Sequence, residues 1–156
     1  MNALAIVVPC YNEQAVLEET AAQLLDVLKR LQRSGKIAAG SQLCFVDDGS
    51  TDDTWQCIER ARHRDARIHG IKLSRNYGHQ NALLAGLMTV TGDMVISIDA
   101  DLQDDTDVIE QMIDAFNSGK DVVFGVRKDR TADSWLKRAF AETYYRFLRW
   151  MGVEII

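Results

Sequence analysis

Short apolar runs alternate along this chain with longer stretches in which apolar residues recur at helical spacing. Residues 4–9 (LAIVVP) read as a strand, and Leu17, Ala21, Leu24, Leu28 and Leu31 mark one face of a helix running from 13 to about 33. Asn12 is the expected N-cap of that helix and Ser34-Gly35 its stop. A second strand is predicted over 42–46, and Ser50-x-x-Asp53 has the form of a capping box opening a helix through Trp55, Ile58 and Ala61. Residues 68–73 predict a third strand and 80–90 a helix with an apolar face. Residues 94–98 (MVISI) are short and nearly all apolar, the pattern of a strand buried on both faces. Val108, Ile109, Met112, Ile113 and Phe116 predict a helix closed by Ser118-Gly119. A fifth strand is predicted over 122–126 and a long helix over 134–151.

Strands alternating with helices in this way predict an α/β domain over 1–156: a mostly parallel sheet, helices on both faces, right-handed crossovers. Ligands of such sheets bind beyond the carboxyl ends of the strands. The segments just after the predicted strands are CYNE (10–13), DDGS (47–50), SRNYGH (74–79), DADLQD (99–104) and Arg127-Lys128. Polar and acidic groups therefore converge on one edge.

Composition narrows the classes. A chain of 156 residues buries roughly two-thirds of its unfolded surface, enough for one core. Its 47% hydrophobic and 26% charged content belongs to an ordered globular protein. A formal net charge of -5 argues against a nucleic-acid partner, whose binding footprint needs a basic excess. Cys10, Cys44 and Cys57 have no metal-ligand or CxxC spacing, so reduced thiols in a cytoplasmic protein are expected. No leader pattern precedes the first strand, and no run approaches the ~20 apolar residues of a membrane span. The expectation is a soluble chain.

Asp99-Ala100-Asp101 carries the sharpest chemistry. In an extended segment the two carboxylates point to the same side and repel one another. A hard divalent cation relieves that repulsion and keeps positions open for substrate phosphates. The plain alternative is a solvated acidic turn that caps the next helix. Asp47-Asp48-Gly49-Ser50 reads either as a glycine turn with Ser50 capping a helix or as a turn whose aspartate is free for base or ribose hydroxyls. Tyr11 offers a ring for a base, Glu13 an acceptor, and Arg75 a fork for phosphate or a salt bridge to nearby aspartates. His79 reads as a structural or surface histidine. There is no GxGxxG after the first strand and no GxxxxGK[ST] anywhere, so dinucleotide and P-loop sites are excluded. Along the last predicted helix, Trp135, Phe140, Tyr144 and Phe147 keep helical spacing, with Arg138, Arg146 and Arg149 on another face. That pattern suits core packing or a membrane-interface helix.

Five motifs together resemble the family 2 glycosyltransferases of GT-A fold: VVPCYNE (7–13), FVDDGSTDDT (45–54), LSRNYGHQNALLAG (73–86), ISIDADLQDD (96–105) and VFGVRKDR (123–130). They are most similar to the branch containing dolichol-phosphate mannosyltransferase and bacterial polyprenyl-phosphate glycosyltransferases. The resemblance implies inverting transfer of a hexose from a UDP- or GDP-linked sugar to a polyprenyl phosphate at the cytoplasmic membrane face, with Mg²⁺ or Mn²⁺. It implies a donor site drawn from Pro9, Tyr11, Asn12, Glu13, Asp47, Asp48, Gly49, Ser50, Arg75, Asn76, Gly78 and Asp99. Catalytic candidates are Asp99, Asp101 and Arg127, and metal candidates are Asp101, Asp99 and Gln103. Members of that family often carry prolines after the segment matching DLQD, where this chain has Asp105-Thr106. Members also continue past the position of Ile156 with acceptor contacts, a candidate catalytic aspartate and often transmembrane helices, so donor binding with little turnover is expected of these residues alone. Apolar surface exposed by such a division could pair two copies. Two competing classes are a non-catalytic membrane- or partner-docking module with a vestigial nucleotide site, and a nucleotidyltransferase. The second lacks its glycine-rich basic loop after the first strand.

Overall fold

A computed structural model of the chain describes residues 1–101 and 107–125. Met1–Val123 group as one compact unit and Phe124–Ile156 as a second; the fold below is that of the first. Its elements run β1 (Leu4–Cys10), α1 (Leu17–Arg33), β2 (Gln42–Asp47), α2 (Thr54–Arg64), β3 (Ile68–Lys72), α3 (His79–Thr89), β4 (Met94–Ser97) and α4 (Asp107–Asn117). The four strands form one sheet in the order β3-β2-β1-β4, every pair parallel.

β1 lies inside the sheet, and Leu4, Ala5, Ile6, Val7 and Val8 have no exposed surface. This explains its unbroken apolar run: both faces are covered, so no position can be polar. On one face Leu17, Leu24, Leu28 and Leu31 of α1 join Ile58 of α2 and Ile109 and Ile113 of α4 in a core with Leu4, Ile6, Val8 and Phe45. Each such large side chain contributes about 1.5–3 kcal/mol by leaving water. On the other face, among the described residues, α3 alone packs over β1 and β2, with Ala82 against Val7, Cys44 and Val46. Helices thus cover both faces, as the pattern predicts.

Four expectations need correction. α1 begins at Leu17, and Asn12 is not its cap but sits at φ 58, a left-handed conformation that Asn tolerates. The intervening turn, closed by the Val16 and Leu17 amides on the Glu13 carbonyl, is held by side chains of the next loop. Ser50-x-x-Asp53 is not a capping box: Ser50 Oγ accepts from the Asn12 amide at 2.9 Å, and Asp52 receives the Thr54 amide at 3.0 Å. Among the described residues β4 is covered on one face only, because α3 sits over β1 and β2. Val95 is 41% exposed and Ser97 is exposed, whereas Met94 and Ile98 are buried. The fifth strand does not form over 122–125: these residues have no ladder partner, and Val122 is 68% exposed. An apolar run becomes a strand only where another strand accepts its hydrogen bonds. Val126 and the predicted 134–151 helix lie outside the described residues.

α3 reaches the sheet through Gly86, where an added Cβ would stand 2.4 Å from Val7 Cγ1 and 3.0 Å from Val46 Cγ2. Both neighbours are stiff, fully buried valines. Gly86→Ala should therefore destabilise the domain by about 1–2 kcal/mol in urea unfolding, overpacking outweighing alanine's better helix propensity. An equally or more stable variant would show that α3 can lift from β1 without loss.

Candidate functional site

Parallel register brings the carboxyl ends of the strands level: Cys10 pairs with Asp47, and Asp47 with Lys72. The residues that follow have no ladder, so side chains supply the partners of their backbone. Between the loops after β1 and β2 the bonding is reciprocal. The Asn12, Glu13 and Gln14 amides donate to Ser50 Oγ, Thr54 Oγ1 and Asp52 respectively, at 2.9, 2.8 and 3.3 Å. In return Asn12 Oδ1 accepts from the Thr51 amide at 2.9 Å, and Gln14 Oε1 from the Asp53 amide at 2.8 Å. Burial raises the Asp52 pKa, but the Thr54 hydroxyl and amide and the Gln14 amide together bring it below the usual range.

A cavity of about 320 Å³ opens at this edge. The loop after β1 contributes Pro9, Cys10, Tyr11 and Glu13; the loop after β2, Asp48; the loop after β3, Asn76, Gly78 and His79; the segment after β4, Asp99 and Asp101. Tyr11 is 43% exposed where it lines the cavity. Glu13 is held above the usual carboxyl range, first by burial and then by the charges of Asp101, Asp52 and Asp99. Cys10 is driven well above its ordinary value by burial, with Glu13 and Asp47 adding to it, so it lines the wall as a neutral thiol and is no nucleophile.

Asp47, Gly49 and Arg75 do not line the cavity. Asp47 is fully buried; its Oδ1 accepts from the Ser50 amide at 3.0 Å, and its Oδ2 has no hydrogen-bond partner among the described residues. Gly49 adopts φ 68 and lets the Arg75 backbone approach so closely that a Cβ would lie 2.3 Å from its carbonyl carbon. Among the described residues Arg75 forms no aspartate bridge; its guanidinium lies 4.9 Å from the centre of the Tyr77 ring. Arg127 and Gln103 lie outside the described residues. One participant escapes the sequence reading: His79 Nε2 stands 3.8 Å from Asp99 Oδ1. Its place directly after the SRNYG segment was the available signal.

Among the described residues no three His, Cys, Asp or Glu side chains form a closed cation cage. The donor set still fits a magnesium- or manganese-like ion, which takes one or two carboxylates and completes its shell with waters and substrate phosphates. Asp99 and Asp101 are hard oxygen donors, exposed on the wall and close enough to raise Glu13.

The pattern described as Glycosyl transferase family 2 matches residues 5–152. Glycosyltransferase YkoT of Bacillus subtilis is 45% identical over 98% of this chain and 46% of its own length. The undecaprenyl-phosphate 4-deoxy-4-formamido-L-arabinose transferase of Edwardsiella ictaluri is 36% identical over 86% of this chain and 40% of its own. Among solved structures, mannosyltransferase PcManGT from Pyrobaculum calidifontis, in complex with GDP-Man and Mn²⁺, aligns with TM-score 0.52 and 26% identity. That alignment covers 64% of this chain and 28% of that one. The fold is GT-A, as the resemblance implied, and the chain spans about half the length of the curated relatives it matches.

The raised Glu13 fixes the sign of one pH effect. The folded state holds the Glu13 proton more tightly than the unfolded chain, so its stabilising contribution is complete below the unfolded value and is lost as pH rises through the folded one. Metal-free protein should lose stability from this source as pH climbs above 4.5, and Glu13→Gln should flatten that limb in thermal unfolding. An unchanged pH slope in the variant would show that Glu13 is not its source.

Proposed function

Because the chain belongs to glycosyl transferase family 2, we propose that its cavity binds a UDP- or GDP-linked hexose together with Mg²⁺ or Mn²⁺. In this reading the whole protein transfers that hexose to a polyprenyl phosphate. One observation carries the proposal: Glu13, Asp48, Asp99 and Asp101 line the cavity, and among the described residues His79 is the only basic side chain lining it with them. A diphosphate cannot settle against four carboxyl groups unless a cation stands between. The GDP-Man and Mn²⁺ in the PcManGT structure and the undecaprenyl phosphate in the name of the Edwardsiella ictaluri relative point the same way.

Residues 1–156 form the donor-binding domain in this proposal. Pro9 and Tyr11 flank the base, while Glu13 accepts from a sugar or base donor. Asn12, Asp47, Gly49, Ser50 and Arg75 act by shaping the loops. Asn76 and Gly78 border the donor from the loop after β3. Asp99 and Asp101 hold the cation, with Gln103 a further ligand from the resemblance, and Arg127 is assigned to a donor or acceptor phosphate. A bound cation supplies charge neutralisation for the departing diphosphate. The acceptor phosphate oxygen forms its bond to the anomeric carbon as the bond to the nucleoside diphosphate breaks on the opposite face, so the configuration inverts. A lipid-linked acceptor would place the reaction at a membrane surface; among the described residues no helix is long and apolar enough to cross a membrane.

Calorimetric titration with UDP and GDP, with and without Mn²⁺, tests the assignment. One nucleotide should bind selectively and only with metal. Asp101→Ala should weaken that binding at least about tenfold, or ~1.4 kcal/mol, with the far-ultraviolet spectrum unchanged. Equal affinity with and without Mn²⁺, or none for either nucleotide, would overturn the proposal.

A further inference from the structure

Asp48 lines the cavity, yet its carboxylate is already engaged. Oδ1 accepts from the Tyr77 amide at 2.8 Å and Oδ2 from the Gly78 amide at 2.9 Å, and the residue is only 2% exposed. A carboxylate removed from water in this way needs such partners, and bonds from two successive backbone amides are charge-assisted on both oxygens. The adjacent contact reinforces it: Gly49 permits backbone-to-backbone approach to Arg75 and Asn76 that any Cβ would block. The held segment is otherwise a polar loop whose last residue, Gly78, adopts φ 91. Its Gly78 amide is shared with Asn76 Oδ1 at 2.9 Å, and the Tyr77 carbonyl accepts from Asn81 Nδ2 at 2.7 Å. Asn76, Gly78 and His79 of this loop and the following helical turn form one wall of the cavity.

We infer that Asp48 is a positioning residue: its carboxylate latches the loop between β3 and α3, and the nucleotide meets a wall already set by that latch. The inference deepens the donor-site reading and rests on it for the identity of the ligand. Preorganisation matters because a loop ordered before binding need not be ordered by the ligand. The latch also explains why an acid serves here and an amide would not. Asn at this position would turn an NH₂ donor toward one of two N–H donors and leave that amide without an acceptor.

The test is a double-mutant cycle read in Mn²⁺-nucleotide affinity, using the full chain, Asp48→Asn, Asn76→Ala and the pair. Asp48→Asn should weaken binding about tenfold or more and Asn76→Ala about threefold, while the pair should be no weaker than Asp48→Asn alone. Losses that multiply would mean that Asp48 acts on the ligand independently of the loop, and wild-type affinity in Asp48→Asn would mean that the latch is unnecessary. Either result overturns the inference. Amide exchange without nucleotide separates this from the donor assignment. In the wild-type chain the Tyr77 and Gly78 amides should exchange at least about a hundredfold slower than unprotected amides. Asp48→Asn should release both while leaving β1 amides protected. Unprotected exchange in the wild type refutes the latch even if Asp48→Asn fails to fold. Failure of UDP and GDP to bind a chain with protected Tyr77 and Gly78 refutes the donor reading alone.

Discussion

Backbone amides beyond the ends of parallel strands have no ladder to join, and in this protein acidic, amide and hydroxyl side chains become their acceptors. Asn12, Ser50, Asp52 and Thr54 tie the first two loops together, Asp47 closes the turn at Ser50, and Asp48 holds the third loop. A buried amide left without a partner would destabilise the edge by about 1–3 kcal/mol. The edge is therefore built from groups that are themselves charged or strongly polar, and the site is the outer surface of that construction.

The same solution creates the electrostatic problem that defines the function. Acids that satisfy amides, together with Glu13, Asp99 and Asp101 on the wall, leave a cavity whose charges repel one another, and the raised proton affinity of Glu13 comes first from burial and then from the charges of Asp101, Asp52 and Asp99. Residues 4–8 of β1 and 43–46 of β2 behind it are apolar and bring no charge to the cavity. In the proposed reading a cation carried with an anionic ligand relieves the repulsion. Fold and chemistry are linked at this point: the parallel register gathers the acids, and in the proposed reading their gathering favours a metal-assisted phosphate ligand over a bare anion.

The alternation of strands and helices was readable from the residues because burial on two sheet faces and on one helix face leaves different periodicities. The loop chemistry was readable for a related reason: in a parallel sheet, whatever follows each apolar run must arrive at one edge. Helix starts were less readable. Glu13 and Gln14 carry good helical side chains, but their amides are captured by Thr54 and Asp52, residues some forty positions away. His79 was passed over because a lone histidine has no sequence signature that separates a surface ring from one beside an aspartate.

By itself the sequence determined the α/β class, the four parallel strands of the described sheet and the identity of the acidic edge, since each depends on residue type and spacing along the chain. Tertiary structure alone decided that Asn12 adopts a left-handed turn instead of capping a helix, that among the described residues β4 is covered on one face only, and that Asp48 spends both oxygens on a neighbouring loop. These outcomes turn on which distant group reaches a backbone amide or a sheet face first. That competition takes place in space between segments, and no local pattern of residues records who wins it.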